Sequence, residues 1–382
     1  MDGPLLVVDA DAVARNFGRI RAAMPGHEVV PVLKGDAYGL GSAEIGRALT
    51  AVGARRFWVE TLEEGQSLRR SLEEGQSLRL RPSRLKRAEV AIGVLDGPAP
   101  GEVALFLEHG LEAAIGDEAQ AGEWRQAHGQ RVPSCVLNVD TGFNRLGFRT
   151  DAPLFEDFEL FESCRPRAWM THLADGGADP DSPRNREQCE AIRRFAKRME
   201  PVFPSGLPLS LGLDGAVALR GKVEVAEVRT GAALFGVQVF PEYLPLEGVA
   251  RLDAPVLRVI EVPKGARVGY GAGWEARRPS RVAVLGIGYA HGVPRALAGT
   301  GRIGFGPESA SRSAPIVGAI SMELLACDVT DLPARETAPG TRGRLLDGVY
   351  GINELARDSG RLDTEILCAL GRCPRTYRRS SL

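Results

Sequence analysis

Cysteine is sparse in this sequence, and the spacings in which cysteine usually acts are absent. Six cysteines are spread over 382 residues, with no Cys-x-x-Cys pair and no histidine pair close to them. Zinc sites and disulfide frameworks both need closely or regularly spaced cysteines. The sequence therefore predicts no metal site and no disulfide framework, and we expect reduced cysteines that mostly serve packing.

Long apolar runs and an excess of charge are absent as well. No apolar run reaches the about 20 residues that a membrane helix needs, and residues 1–9 lack the basic and apolar regions of a signal peptide. The formal net charge is only -1, and a solvated face explains basic clusters such as 372–379 better than nucleic-acid contacts do. These features predict a cytoplasmic protein that binds neither membranes nor nucleic acids.

Up to about residue 236 the sequence has the pattern of parallel βα units. After a short strand at 5–9, β-branched runs alternate with amphipathic segments of helix length. Eight further runs favour a closed (β/α)8 barrel, and an open doubly wound sheet is the alternative, because such counts can be wrong by one strand. The candidate strands are 29–33, 56–60, 89–95, 111–115, 134–140, 168–173, 207–212 and 226–229.

From about residue 238 the helical period disappears. Short runs rich in valine, isoleucine and glycine follow, as at 281–289 and 314–320. At 382 residues the chain also exceeds what one hydrophobic core usually supports. We predict two domains: a barrel at 10–237, and a mainly β domain at 238–382 to which the strand at 1–9 belongs.

One identical repeat interrupts this pattern. The sequence Leu-Glu-Glu-Gly-Gln-Ser-Leu-Arg occurs at 62–69 and again at 72–79. On a helix this shift rotates the second copy by about 80°, so both copies cannot present the same face to one core. We interpret the repeat as a surface insertion.

A lysine follows the first candidate strand of the barrel directly. Lys34 comes after the run 29–33 and opens a glycine-rich turn that includes Tyr38. Barrel enzymes place catalytic groups at the carboxyl ends of their strands. A lysine there is either a surface residue with its amine in water or a desolvated amine with a lowered pKa, and only the second can form a Schiff base. Position alone leaves both alternatives open.

The segment Lys-Gly-Asp-Ala-Tyr-Gly-Leu-Gly that begins at Lys34 resembles the Lys-x-x-Ala-Tyr-Gly-x-Gly element of the alanine racemase family, which uses pyridoxal 5'-phosphate (PLP). The resemblance implies that Lys34 holds PLP covalently and that the Tyr38 hydroxyl binds its phosphate. An ordinary turn tyrosine is the alternative for Tyr38. Further matches follow in the family's order along nearly the whole chain.

Three of these matches lie in the barrel region. Arg145 stands in an Asp-Thr-Gly-Phe-Asn-Arg-Leu-Gly segment similar to the element whose arginine positions the substrate carboxylate, a task that suits paired guanidinium donors. His172 resembles the histidine that orients the catalytic tyrosine, and a packed strand-end histidine is its alternative. Arg229 resembles the arginine that approaches the pyridine nitrogen, and the backbone of Gly231 and Ala232 corresponds to the phosphate cradle.

The remaining matches lie in the second domain. Tyr270 resembles the family's catalytic tyrosine, the base on the opposite side of the substrate's α-carbon from Lys34. Tyr289 resembles the tyrosine that narrows the substrate entrance, and Met322 the residue whose backbone amide meets the substrate carboxylate. Because the family supplies its catalytic tyrosine from the partner subunit, the resemblance implies an active homodimer.

Several positions depart from the family's pattern. Asn138 stands where many members carry a carbamylated lysine that holds the arginine matched by Arg145, and a bound anion or a freer Arg145 are the alternatives. Gly215, next to Asp214, lacks the hydroxyl that donates to the phosphate, and Gly371 falls where some members have a phosphate-binding tyrosine. These departures bear on cofactor affinity and on the choice of substrate.

The resemblance implies a PLP-dependent racemase that interconverts L- and D-alanine. Lys34 and Tyr270 exchange the α-proton in this prediction, and His172 supports the tyrosine. A permanent cation at Arg229 makes the cofactor ring a weaker electron sink and so favours racemisation over decarboxylation. The alternatives are a racemase or epimerase of another amino acid, a biosynthetic PLP enzyme on the same scaffold, and a non-catalytic PLP-binding protein, which would lack the Tyr270 domain.

Overall fold

The computed structural model describes residues 3–77, 90–127, 134–151, 159, 164–177, 179, 181–203 and 205–378. The chain divides into two compact units. The barrel unit comprises Phe17–Gly35 and Gly46–Gly231, and the β unit comprises Met1–Asn16, Asp36–Ile45 and Ala232–Leu382. The domain boundaries at 9, 10, 237 and 238 stay predictions.

The barrel unit is built on short parallel strands. β1, which precedes them in the chain, belongs to the β unit. In chain order, the strands up to residue 230 are β1 Leu5–Asp9, β2 Glu28–Pro31, β3 Arg56–Val59, β4 Ala91–Val94, β5 Glu112–Ile115, β6 Cys135–Asp140, β7 Phe148–Arg149, β8 Pro166–Met170, β9 Leu209–Gly212 and β10 Glu227–Thr230.

Eight of these strands form a ring. They lie side by side in the order β2-β10-β9-β8-β6-β5-β4-β3, and the pairings are parallel. A parallel bridge between Val32 and Trp58 closes the ring, and the Leu33 N–H donates to the Trp58 carbonyl at 2.7 Å. The predicted barrel is thus confirmed, and the carboxyl ends of its strands meet at one mouth.

Helices connect the strands and begin at identifiable caps. The Asp117 side chain accepts the Gln120 N–H at the start of one helix, and Ser182 accepts the Asn185 N–H at the start of another. The described helices are α1 Ala10–Ala23, α2 Lys34–Tyr38, α3 Ser42–Ala51, α4 Leu62–Ser77, α5 Val103–His109, α6 Glu118–Gln126, α7 Pro183–Met199, α8 Leu213–Ala218, α9 Ala334–Thr337, α10 Ile352–Ser359 and α11 Asp363–Leu370.

Both copies of the repeat fall on α4, as far as Ser77. Leu68 of the first copy and Leu72 of the second are both buried, and a Cβ at Gly46 would touch both leucines. Arg69 is buried and donates to the carbonyls of Val90 and Gly110. The described part of the repeat therefore packs into the barrel unit and is not the surface insertion that we expected. Residues 78 and 79 of the second copy lie outside the described residues.

The β unit is a mainly antiparallel sheet. Its order is β14-β17-β16-β15-β18-β11-β1-β19, with a further β14–β11 pairing, and β12 and β13 form a separate hairpin. The predicted mainly β domain is confirmed. Its strands after residue 249 are β11 Ala250–Val262, β12 Arg267–Val268, β13 Trp274–Glu275, β14 Ser280–Leu285, β15 Arg302–Phe305, β16 Arg312–Val317, β17 Leu325–Asp328, β18 Arg342–Leu345 and β19 Arg375–Arg378.

Among the described residues, no helix combines the length and the apolar character needed to cross a membrane.

The barrel interior is apolar over part of its circumference, where the Trp58 ring is fully buried beside Val30, Ala114 and Val136. The neighbouring strand β4 leaves room for that ring because it carries Gly93.

Gly93→Ala tests this packing. A Cβ at Gly93 would lie 2.3 Å from a Trp58 ring atom, so we expect a loss of about 1–3 kcal/mol in the free energy of unfolding, measured with urea. Gly122→Ala in α6 is the matched control. Its Cβ would meet nothing within 4 Å, and the variant should gain up to about 1 kcal/mol, because alanine favours a helix. Equal stability of the two variants would contradict the packing.

Candidate active site

The backbone after β2 holds Lys34 at the start of a left-handed turn. Gly35 and the next three residues, through Tyr38, have φ values of 61°, 53°, 55° and 57°. Only glycine adopts this region without cost, and other residues lose about 1–2 kcal/mol each. The turn must therefore be held from outside. In the barrel unit the Gly35 N–H donates to Glu64 at 2.7 Å, and in the β unit Arg375 pairs with Asp36 at 2.7 Å.

The backbone that follows this turn explains why position 371 carries a glycine. Within the β unit, a Cβ at Gly371 would lie 2.4 Å from the Gly39 carbonyl oxygen. No side chain fits there, so the tyrosine that some members of the family have at this position is excluded. Tyr38 itself is half-buried, with its ring 5.1 Å from that of Phe235.

The Lys34 amine lies beside carboxylates in the barrel unit. Its Nζ is 2.9 Å from Glu60 Oε2, and both side chains are about one-third exposed, at 36% and 34%. Burial and the neighbouring Glu60 raise the pKa of Asp96, while the charge of Lys34 opposes that rise. Glu60 ends one candidate strand and Asp96 directly follows another, which is the signal that could have revealed them in the sequence.

Arg229 extends from β10 and is buried. Its Nη1 donates to Ser210 Oγ and its Nη2 to the Thr171 carbonyl, each at 2.7 Å. Burial lowers the pKa of Arg229 to about 10, although the carboxylates of Glu227 and Asp214 oppose that shift. Both hydrogen-bond partners are neutral and do not cancel the charge of Arg229. This end of the barrel therefore contains a buried positive charge.

Three of the predicted cations influence the pKa of His172. Burial and the positive charges of Arg229, Arg145 and Lys34 lower the pKa of His172 to about 4, and the charge of Asp214 acts in the opposite direction. The imidazole is therefore neutral at neutral pH. Four residues predicted from the sequence share one electrostatic environment in the barrel unit.

The ring of Phe143 connects two of these residues. The Arg145 guanidinium lies 4.3 Å from the centre of that ring, and the His172 ring lies 5.5 Å from it. Asp140 fixes the loop by accepting the N–H groups of Gly142, Phe143 and Asn144 at 2.9, 2.9 and 3.0 Å. Phe143 was not among the residues predicted from the sequence, although it lies two residues before Arg145 in the same segment.

Gly215 and Asp214 lie at the start of α8. The Gly215 N–H donates to Asp214 Oδ1 at 2.9 Å. A Cβ on Gly212 would lie 2.8 Å from that oxygen and 3.1 Å from the His172 ring, so the carboxylate and the imidazole both border Gly212. Gly215 thus carries no hydroxyl for a phosphate, and its N–H is already hydrogen-bonded to the Asp214 carboxylate.

Three of the predicted residues of the β unit share one surface groove. Tyr270 lies between β12 and β13 and is 77% exposed. Tyr289 and Met322 line the same groove, and the Tyr289 ring lies 5.8 Å from the Arg295 guanidinium. Ala232 also belongs to this unit, whereas Gly231 ends the barrel unit.

Comparison with known proteins finds one family over nearly the whole chain. The family described as "Alanine racemase, N-terminal domain" matches residues 8–239, and "Alanine racemase, C-terminal domain" matches residues 249–377. The alanine racemase of Acidiphilium cryptum is 36% identical over 383 residues, which cover 99% of each chain.

Two solved structures are similar throughout. Alanine racemase from Bartonella henselae, described with covalently bound pyridoxal phosphate, has a TM-score of 0.82 at 26% identity, covering 99% of this chain and 100% of that one. The biosynthetic alanine racemase of Pseudomonas aeruginosa has a TM-score of 0.81 at 28% identity, with the same coverage.

The low pKa of His172 predicts a loss of stability in mild acid. Between its ordinary value of 6.5 and the folded value of about 4, the unfolded chain binds a proton that the folded protein excludes. The free energy of unfolding should therefore fall as the pH is lowered through this window, by at most about 3 kcal/mol from this group.

Urea unfolding at several pH values measures this slope. His172→Gln should have a smaller slope between pH 4 and 6.5 than the unmodified protein, because it carries no titrating ring. Arg145→Gln should also reduce the slope, because Arg145 helps to keep the proton off His172. Unchanged slopes in both variants would contradict a neutral imidazole with a lowered pKa at His172.

Proposed function

The chain belongs to the alanine racemase family, and from this membership we propose that it is a PLP-dependent isomerase interconverting L- and D-alanine. The placement of these residues on the parallel strands supports the assignment of the site. Lys34 and His172 follow β2 and β8, and Arg229 lies on β10. Arg145 stacks on Phe143, whose ring contacts His172. An amine, a carboxylate-binding cation and a buried cation are the groups that this reaction needs.

The donor set fits PLP by its chemistry. The cofactor's aldehyde needs an amine, which Lys34 supplies at the end of β2, and the cations suit an anionic phosphate. Tyr38 and the N–H groups of Gly231 and Ala232 would bind that phosphate, and Arg229 would face the ring nitrogen. When bound, PLP withdraws electrons from the substrate's α-carbon and so makes its hydrogen acidic.

Racemisation needs one proton donor and one acceptor on opposite sides of the α-carbon. Tyr270 Oη and Lys34 Nζ would fill these roles and exchange them when the reaction runs in reverse. Arg145 and the Met322 amide would hold the substrate carboxylate, and Tyr289 would narrow the entrance. The two groups that bind the carboxylate keep the α-carbon between the two bases.

Tyr270 must reach its phenolate form to accept a proton. A tyrosine ordinarily titrates near pH 10, and positive charges nearby favour the phenolate. Lys34, Arg145 and Arg229 concentrate positive charge around His172. A neutral His172 can accept or donate a hydrogen bond without adding charge, so it would orient the tyrosine while the arginines supply the electrostatic stabilisation.

We propose that the active form is a homodimer and that the partner subunit supplies Tyr270. The exposure of Tyr270 and Met322, at 77% and 57%, supports this assignment. The side chains lie in one groove together with Tyr289 and Leu324, and such a group of exposed apolar residues marks an interaction surface.

The proposed location is the cytoplasm. All six cysteines lie in the described part of the chain, where no disulfide joins them, and five of them are buried. Disulfides form mainly in oxidising compartments, so cysteines without disulfides agree with a reducing one.

Racemisation of another amino acid is the second candidate. Asn138 stands where many members of the family carry a charged lysine derivative, and Arg145 instead stacks on the neutral ring of Phe143. The carboxylate anchor therefore differs from the family's. A panel of L-amino acids, assayed alongside alanine, separates the two candidates.

Mixed dimers test the shared site. Lys34→Ala and Tyr270→Phe should each abolish most racemisation of L-alanine, since each removes one of the two bases. Co-expression of the two variants should restore about one quarter of the wild-type activity, because about half of the dimers are hybrids with one complete site. Activity is measured as D-alanine formed from L-alanine.

The matched control combines Lys34→Ala with Lys34→Arg, which leaves every site without its lysine and should restore nothing. No recovery in the Lys34→Ala and Tyr270→Phe mixture, with dimers present, would argue against a tyrosine supplied by the partner.

A further inference from the structure

A line of buried polar side chains runs through the barrel interior below Arg229. Arg229 Nη1 donates to Ser210 Oγ at 2.7 Å, and Ser210 Oγ lies 2.6 Å from Glu227 Oε1. All three residues are buried. The catalytic residues predicted from the sequence do not include Ser210 or Glu227.

The hydrogens in this line can be arranged in only one way. A guanidinium has donors and no acceptor, so Ser210 Oγ must accept from Arg229. The single hydroxyl hydrogen of Ser210 is then left to donate to Glu227. The line therefore has a fixed direction, with the cation at the barrel mouth and the carboxylate deeper in the barrel.

Glu227 is itself fixed at the amino-terminal ends of the strands. Its Oε2 accepts from Arg167 Nη1 at 2.8 Å, and its Oε1 also accepts from Trp58 Nε1 at 3.0 Å. Burial works against its ionisation, but the charge of Arg167 and the hydrogen bonds from Ser210 and Trp58 lower the pKa of Glu227. Glu227 is therefore a buried carboxylate on a rigid support.

The hydroxyl of Ser210 matters more to Arg229 than to Glu227. Without that hydroxyl, Glu227 keeps its hydrogen bonds from Trp58 and Arg167, and Arg167 also keeps Glu112 at 3.1 Å. Arg229 would keep the Thr171 carbonyl but lose its contact with Ser210 and, through it, with the carboxylate. Removing the hydroxyl thus frees the guanidinium and leaves the support in place.

We propose that Glu227, acting through the Ser210 hydroxyl, is a positioning residue that fixes the orientation of the Arg229 guanidinium and balances its buried charge at the barrel mouth. This inference rests on the proposed function, in which Arg229 faces the cofactor ring. Interactions that orient a catalytic or ligating group through a second residue commonly contribute about 10- to 100-fold to activity. Ser210 and Glu227 act on the reaction only through Arg229.

Ser210→Ala separates positioning from folding when it is compared with Trp58→Phe. In the PLP-loaded enzyme, Ser210→Ala should lower kcat for L-alanine about 10- to 100-fold and leave KM within about twofold, because Arg145 is untouched. Glu227→Gln, which keeps an acceptor for Ser210 but not the charge, should lower kcat less. Trp58→Phe removes another hydrogen bond to the same carboxylate and should lower the urea midpoint more, yet keep kcat.

A second measurement uses the protein without PLP or substrate. His172 senses the charge of Arg229, so its ring nitrogen resonances report the guanidinium's position. Ser210→Ala should shift these resonances, and Trp58→Phe should leave them unchanged. If the unmodified protein forms no D-alanine, the proposed function fails while this measurement still tests the positioning. Two results would overturn the proposal: unshifted His172 resonances in Ser210→Ala, or equal losses of kcat in Ser210→Ala and Trp58→Phe.

Discussion

Parallel pairing around a closed ring is the constraint on which this site depends. Because every barrel strand runs in the same direction, the residues that follow each strand arrive at one mouth, however far apart they are in sequence. Lys34 and His172 follow strands β2 and β8, and Arg229 lies near the end of β10. Strands β2 and β10 are direct neighbours, and the bridge between Val32 and Trp58 closes the ring by joining β2 to β3.

Concentrating positive charge at that mouth has an energetic consequence. Desolvation favours the neutral forms of the buried Arg229 and the half-buried His172, and the pKa values of both are lowered. A hydrogen-bonded path to Glu227 stabilises the arginine as a cation, whereas the histidine gives up its proton. In the proposed reaction, Arg229 would therefore supply positive charge, and His172 would supply a neutral hydrogen-bonding group.

Local signals explain how the fold could be predicted from the sequence. Strand periodicity indicates the barrel, and the position of Lys34 after a buried run places it at the barrel mouth. The other site residues are predictions from the family resemblance. The left-handed turn at 35–38 and the contact that excludes a side chain at Gly371 depend on distant residues, so no local pattern could reveal them. The same holds for the Ser210–Glu227 path. The alternation of interior side chains on β10 indicates only that Glu227 and Arg229 share a face.

Incubation of L-alanine with the PLP-loaded protein in heavy water tests the central claim most directly. The account predicts D-alanine that carries deuterium at its α-carbon, because the returning proton comes from a base that exchanges with solvent. A protein that binds PLP but forms no D-alanine, or that labels L-alanine without inverting it, would contradict two opposed bases acting on alanine.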